Sequence, residues 1–324
     1  MAHMRSYRST GRIERAAGAA VAALKARAAA WEVPLVEAPE RLSLVLWGCE
    51  LILMPQPDGV QIDLVGPEER LIGTLRDSAT EIFAEVGLPV LWDHVDVGAL
   101  APGLSLMRVE AVSPLTPGFL RVRLSGPEAG RFASGGLHFR LLLPPAGRPA
   151  IWPRVAGTGR TVWPEGADAL HRPVYTVAAQ EADWLDFDIF RHRGSPTCDW
   201  AEAGPVGATV GIIGPGGGWC PEAGRLFLFG DETALPAIRR MLDLAGGRAR
   251  AVLRCAAADL GRLAGDPRVD RSDDLLAALA AQEACGPDHF LWFAASADEA
   301  RAARRHLQDR GVARARFVAA AYWS

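Results

Sequence analysis

The sequence predicts a multidomain chain: a small α+β N-terminal domain, a six-stranded antiparallel Greek-key β-barrel, and a doubly wound α/β domain. Three observations carry this. Residues 5–92 mix one helical repeat with short β-like runs and a second helix. Six strand-like runs follow between 106 and 214, a spacing that suits a small closed barrel without exposed edges. From residue 225 strand and helix patterns alternate, as in a parallel sheet covered on both faces. A chain of 324 residues is long enough for each part to have its own core.

In the N-terminal part, Ile13, Ala17, Ala20, Val21, Leu24, Ala28 and Trp31 recur at helical spacing and predict one amphipathic helix. The runs LSLVLWG (42–48), CELILMP (49–55) and VQIDLVG (60–66) read as strands, the last alternating as a half-buried antiparallel strand does. Pro57-Asp58-Gly59 supplies turn chemistry between two of them. Pro67, Glu68 and Glu69 then open a second helix running to about Val86, with proline and acids where a helix start favours them. Residues 93–105 read as a linker.

The barrel strands are expected at 106–112, 118–126, 137–143, 174–180, 184–192 and 208–214, so the barrel occupies 104–218. The long insertion 144–172, with Trp152 and Trp163, exceeds an idle hairpin, and loops of that size are often functional. The α/β part, 224–324, takes its strands from RLFLFG (225–230), RARAVLRCA (248–256), HFLWFAA (289–295) and RFVAAAYW. Helices fill the sequence between them, including DDLLAALAAQ (273–282) and ADEARAARRHLQDRG (297–311).

Composition excludes several classes. With 49% hydrophobic and 23% charged residues this is an ordinary globular sequence. A net charge of −3 gives no reason to expect nucleic acid or an acidic membrane surface as partner. No window is apolar enough to span a bilayer. Lys25 and Arg27 interrupt the alanine-rich stretch near the start, which argues against an export signal, and the opening MAHM reads as a cloning remnant. Cys49, Cys198, Cys220, Cys255 and Cys285 are scattered without CxxC spacing, against a disulfide framework, zinc site or iron–sulfur centre and in favour of a reducing, cytoplasmic setting. There is no HExxH, nucleophile elbow or Walker loop, and GPGGG is a turn because no Lys-Ser/Thr follows it.

GDETALPAI (230–238) is the most informative string. Gly230 ends a buried strand, where a missing side chain allows close approach to the backbone. The next helix start offers free N–H groups and a positive dipole end. Asp231, Glu232 and Thr233 either cap that helix or line a ligand site, and the residues alone leave both open.

Together with RVEAVSPLTPGFLRVRLSG (108–126), HFRLLLP (138–144), VYTVAA (174–179) and GATVGIIGPGG (207–217), this string resembles the siderophore-interacting protein family of ferredoxin-reductase-like flavin reductases. The resemblance covers nearly the whole chain, and the N-terminal part is similar to a small domain of unassigned role that often accompanies the family. It implies FAD in the barrel and NADH or NADPH on the α/β domain, at Gly230, Asp231, Glu232 and Thr233. Tyr175 would stack on the flavin ring and Thr176 would bond it; the alternative is a partly buried core tyrosine in an ordinary β strand. The family's phosphate-gripping arginine lies two residues before that tyrosine, where this chain has Pro173. Arg172 is one residue earlier; within a regular strand that shift turns a side chain to the opposite face, but proline suits a strand's first residue and would leave Arg172 in the loop before it. RHRGSPTCDWAE (191–202) is similar to the family's phosphate-binding turn, implying that backbone N–H groups of Thr197 and Cys198 meet the diphosphate with His192 and Arg193 nearby, Arg191 or Arg193 being the other sources of charge. The alternative is a surface loop with Asp199 as a helix cap.

Two further departures lie downstream. Trp292 is followed by Phe293-Ala294-Ala295-Ser296 in place of Ala-Gly-Glu, and the C-terminal Gly-Tyr-Trp-basic pattern is reduced to Ala321-Tyr322-Trp323-Ser324. Arg254 either meets a 2′-phosphate or is a solvated surface residue; His138 and Arg140 either face an anionic iron chelate or lie on the barrel exterior. Trp152 and Trp163 either wall the flavin site or pack.

The resemblance implies a cytoplasmic FAD-dependent NAD(P)H ferric-siderophore reductase. The flavin is its redox centre, no side chain acts as the catalyst, and the ferric siderophore or other iron chelate is substrate, so no protein metal ligands are expected. Two alternatives are a redox-inactive scaffold of the same fold and a flavin reductase acting on heme or another chelated metal. Oligomeric state is not legible.

Overall fold

The computed structural model describes residues 6–282, 286 and 288–323; Cys285, Ser324 and the opening MAHM lie outside the described residues. The chain divides into two compact units, one of residues 1–104 and 144–170, the other of residues 105–143 and 171–324.

The first unit is a six-stranded antiparallel sheet with two helices. Its strand order is Leu35–Ala38, Arg41–Leu46, Cys49–Gln56, Gly59–Gly66, Tyr7–Glu14 and Leu91–Trp92. The strand Tyr7–Glu14 corrects the sequence expectation: Ile13 belongs to it and the helix starts only at Ala17. The chain turns between them through Arg15 and Ala16, both left-handed at φ 59°. Helix Ala17–Ala30 buries Ala20, Leu24 and Ala28, while Trp31 is left outside the helix. The second helix, Glu69–Ala84, buries Ile72, Leu75, Ile82 and Phe83 against Leu42, Leu44, Leu51, Leu53, Ile62 and Leu64 of the sheet. Gly59 must be glycine, since a Cβ there would lie 2.1 Å from the Ile13 carbonyl oxygen and its φ is +154°.

Residues 93–103 are not a free linker. Gly98 N donates to Val155 O at 2.8 Å, Ala101 N to Pro153 O at 2.9 Å, and Val155 N returns a bond to Ala99 O at 2.9 Å. The insertion therefore folds within the first unit, where Arg154–Val155 pairs with Thr161–Val162 and Thr161 N donates to Asp77 at 2.8 Å. Trp152 and Trp163 line a cavity of about 410 Å³ there.

In the second unit six strands close into a barrel, in the order Val174–Gln180, Trp184–Phe190, Phe119–Ser125, Leu104–Thr116, Thr209–Gly216 and His138–Leu142. Phe132, Phe139, Phe187, Val109, Val122 and Ile212 fill its interior. The chain leaves the barrel after Leu143 and re-enters at His171, whose backbones exchange two bonds of 2.9 Å.

The remaining five strands are all parallel, in the order Val269–Arg271, Ala249–Arg254, Arg225–Asp231, His289–Ser296 and Phe317–Trp323. Val269–Arg271 has only three residues, too short to show a pattern in the sequence. Helix Leu235–Ala245 packs into the cluster with Leu226, Leu253 and Trp292; Leu275, Leu279, Ala303 and Leu307, from the helices Leu275–Ala281 and Ala297–Asp309, join a second cluster with Phe229 and Phe293. Strand order reverses between Arg225–Asp231 and His289–Ser296, and in such sheets ligands bind beyond the carboxyl ends at that point.

Candidate functional site

A cleft of about 590 Å³ opens where one end of the barrel meets the carboxyl end of the parallel sheet, a size typical of small-molecule sites. Its wall includes Tyr175, Thr176, His138, His171, Thr197, Thr233, Tyr322 and Trp323. These come from four barrel segments and two sheet segments, so no sequence window contains the site.

Strand Val174–Gln180 positions the first group. It pairs with His138–Leu142 in the register Val174↔Arg140, Tyr175↔Phe139 and Thr176↔His138. Tyr175 lies against Phe187, ring centroids 5.0 Å apart, and burial pushes its hydroxyl up to about 12 even though Thr197 bonds it. Thr176 is buried, its Oγ1 3.1 Å from His138 Nδ1.

The strand begins at Val174, which leaves both Pro173 and Arg172 outside the pleat. Arg172 is exposed, and its carbonyl accepts from Arg140 at 2.9 Å. Neither arginine lines the cleft, whereas His171 and Pro173 do. His171 Nε2 is 3.0 Å from Thr197 Oγ1, and burial lowers its pKa. Among the described residues, no lysine or arginine lines this cleft.

The turn after Phe190 supplies the next wall. Ser195 is the N-cap of helix Pro196–Glu202 and its side chain accepts from Cys198 N at 3.2 Å. That satisfies the N–H expected to meet a phosphate, and Cys198 itself is buried with its thiol on the Phe190 carbonyl, 3.3 Å away. Ser195, not Asp199, is the cap. His192 stacks on Phe190 at 6.0 Å and lines the cleft. Arg193 is exposed beside it and is not part of the lining; Arg191 is paired with Glu202 at 2.8 Å.

In GDETALPAI the roles divide. Gly230 has no room for a ligand on its side-chain face, because a Cβ would meet Ala234 Cβ at 2.6 Å and Ile238 Cδ1 at 2.7 Å. The glycine lets the following helix approach the strand. Asp231, 1% exposed, does not cap the helix, whose N-cap is Ala234 without a side-chain bond. Its Oδ1 accepts from Thr233 N at 3.0 Å and Thr233 Oγ1 at 2.6 Å, fixing the turn, and its Oδ2 accepts from Trp323 Nε1 at 2.7 Å. Glu232 is half-buried and lies outside the cleft lining, while Thr233 is within it.

Arg254 is neither free nor simply solvated. Glu299 holds both its terminal nitrogens, at 2.5 and 2.9 Å, and this bond lowers the Glu299 pKa. Ser296, standing where the family pattern has an acid, caps helix Ala297–Asp309 and bonds Glu299 at 2.8 Å. Ala294 and Ala295 are fully buried.

Sequence reasoning missed the ends of the site. His171 carries no local motif and Tyr322 was legible only as part of the altered C-terminal pattern; the contacts of both emerge only once the barrel and the last strand are folded. Tyr322 OH is 3.2 Å from His138 Nε2. In the lining of the cleft, Asp188 binds Arg121 through two bonds of 2.7 and 2.9 Å and Arg239 through one of 3.0 Å. The alternation Arg121/Arg123 against Asp186/Asp188 was available as a charge pattern on two expected strands.

Comparison with known proteins places this architecture. Residues 108–219 match the siderophore-interacting FAD-binding domain and residues 223–324 the siderophore-interacting protein domain. The chain belongs to the siderophore-interacting protein family. A siderophore utilization protein from T. fusca is 29% identical with a TM-score of 0.58, over 71% of this chain and 95% of that one. SipS from Aeromonas hydrophila shares the fold at 24% identity and a TM-score of 0.56, over 68% and 91%. The ferric vibriobactin reductase ViuB of Vibrio cholerae is 31% identical over 137 residues, 38% of this chain. The match spans about half of ViuB, 48% of its length. No described helix is long and apolar enough to cross a membrane.

Proposed function

We propose that this member of the siderophore-interacting protein family is an NAD(P)H-dependent ferric-chelate reductase that works through FAD held in the Tyr175–Thr176 cleft. The observation that carries the reading is that one cleft joins Tyr175 and Thr176 of the barrel to Thr233, Tyr322 and Trp323 at the carboxyl end of the parallel sheet. A two-ligand reaction needs such a junction. The residues fit a flavin: aromatic rings and hydroxyls line a cavity of suitable size, and further hydroxyls and imidazoles at Ser195, Thr197 and His171 suit a diphosphate. Bound FAD would supply the conversion between the two-electron hydride of nicotinamide and the one-electron chemistry of ferric iron.

The chain's own residues supply position. Tyr175 and Thr176 hold the ring end, while Thr197, Ser195 and His171 face the phosphate end with Arg172 and Arg193 at its rim as the source of charge. Thr233, on the turn that Asp231 fixes, receives the nicotinamide donor. The iron chelate is substrate.

The test is anaerobic mixing of FAD-loaded protein with NADH or NADPH and then a ferric chelate, with Fe(II) trapped by a chromogenic ligand. Flavin bleaching followed by stoichiometric Fe(II) is expected; FAD that binds but is never reduced by either donor would overturn it.

A further inference from the structure

Two cavities of the second unit share a wall. The 590 Å³ cleft and a second cavity of about 200 Å³ are both lined by His138 and Tyr322. The second is otherwise apolar around Trp219, Pro221 and Trp292, and Trp219, 58% exposed, brings it to the surface.

Both ring nitrogens of His138 are engaged by hydroxyls, Nδ1 by Thr176 at 3.1 Å and Nε2 by Tyr322 at 3.2 Å. A neutral imidazole has one N–H and one lone pair, and each hydroxyl both donates and accepts. The three groups therefore form a directed chain. Moving each proton one bond along delivers a proton at one end for each taken up at the other.

We propose that Thr176, His138 and Tyr322 are a proton path from the cleft to the second cavity. This rests on the ferric-chelate reductase reading, whose chemistry demands such an exit. A hydride brings two electrons and one proton. Two Fe(III) take the electrons one at a time to become two Fe(II), nicotinamide leaves oxidised, and one proton remains to be released per turnover. Thr176 lines the cleft where that proton is left. Burial, with Arg240 second, lowers His138 to about 4, and burial, with Asp231 second, raises Tyr322. Both stay uncharged near neutrality, as a path without a fixed ion requires.

The experiment uses the FAD-loaded protein, photoreduced without oxygen and mixed rapidly with hexacyanoferrate(III), whose reduction takes up no proton. Flavin absorbance reports electrons leaving, and a pH-indicator dye in weak buffer reports the proton. In wild type the proton appears with flavin oxidation. In Tyr322→Phe, and in His138→Gln, each fully loaded with FAD, proton release lags flavin oxidation by roughly 10²-fold, the low end for a positioned proton-transfer group, whereas in wild type the two coincide. Wild-type proton release in both variants with FAD bound would overturn the path alone. Failure of wild type to bind FAD would overturn the reductase reading and the path with it.

Discussion

His138 offers a test of the site that needs no cofactor. Its pKa is lowered from 6.5 to about 4, first by burial and second by Arg240. A base whose pKa falls on folding contributes stability that is whole above its unfolded value and is lost as pH falls through 6.5 toward 4. At pH 7.5 the group is neutral in both states. At pH 5 it is protonated in the unfolded chain and still largely neutral in the folded one, which costs about 2 kcal/mol at 1.36 kcal/mol per unit. For a folding unit of roughly 150–250 residues that is a midpoint shift of about 4–8 °C. Glutamine keeps a donor and an acceptor but cannot be protonated. Thermal melts of wild type and His138→Gln at pH 7.5 and pH 5 isolate the effect, because His171 and the carboxylates titrate in both proteins. Wild type should lose about 2 kcal/mol more than the variant. Equal losses would refute the claim that burial holds His138 neutral between Thr176 and Tyr322.

Other expectations follow from single contacts. Asp188→Asn leaves Arg121 and the buried Arg239 facing one another without their shared carboxylate and should cost about 3–5 kcal/mol of unfolding free energy; Arg239→Met should cost less, because Arg121 keeps the carboxylate. Gly230→Ala drives a methyl into Ala234 and Ile238 and should destabilise by about 1–3 kcal/mol in thermal or urea unfolding. Arg254→Ala should leave the NADPH/NADH preference unchanged, since Glu299 holds both terminal nitrogens; a loss confined to NADPH would contradict this. Arg172→Ala should weaken FAD binding about tenfold or more in a calorimetric titration, the worth of a charge-assisted bond, and unchanged affinity would mean the diphosphate is held elsewhere.

The barrel and the parallel sheet were legible because their strands are long, apolar and regularly punctuated, and each expected barrel strand overlaps an observed one. The strand Tyr7–Glu14 was not legible, because Ile13 fell into register with the helical repeat that follows and Gly11 broke the β pattern. That glycine is set by packing: a Cβ there would lie 2.7 Å from Trp92, a residue far away in sequence that no local pattern links to it. Short edge strands such as Leu35–Ala38 and Val269–Arg271 are held by their neighbours and carry no period of their own.

Within the site, Tyr175, Thr176 and Thr233 could be singled out because motif spacing names them. Cys198 and Gly230 were legible as positions but not as roles. The Ser195 cap takes the Cys198 N–H, and the helix takes the space beside Gly230, and both effects depend on side chains packed in three dimensions. The contacts of His171 and Tyr322 stayed hidden for the same reason. The two residues meet Thr197 and His138 only across the closed barrel and the end of the last strand.

The central claim is that FAD occupies the Tyr175–Thr176 cleft, and a flavin titration of the purified chain tests it most directly. Tryptophan and flavin fluorescence should report one FAD per chain, with affinity lost on Tyr175→Ala and weakened on Thr197→Val while the fold, read by circular dichroism, is unchanged. A chain that binds no FAD, or binds it equally well after both substitutions, would contradict the account.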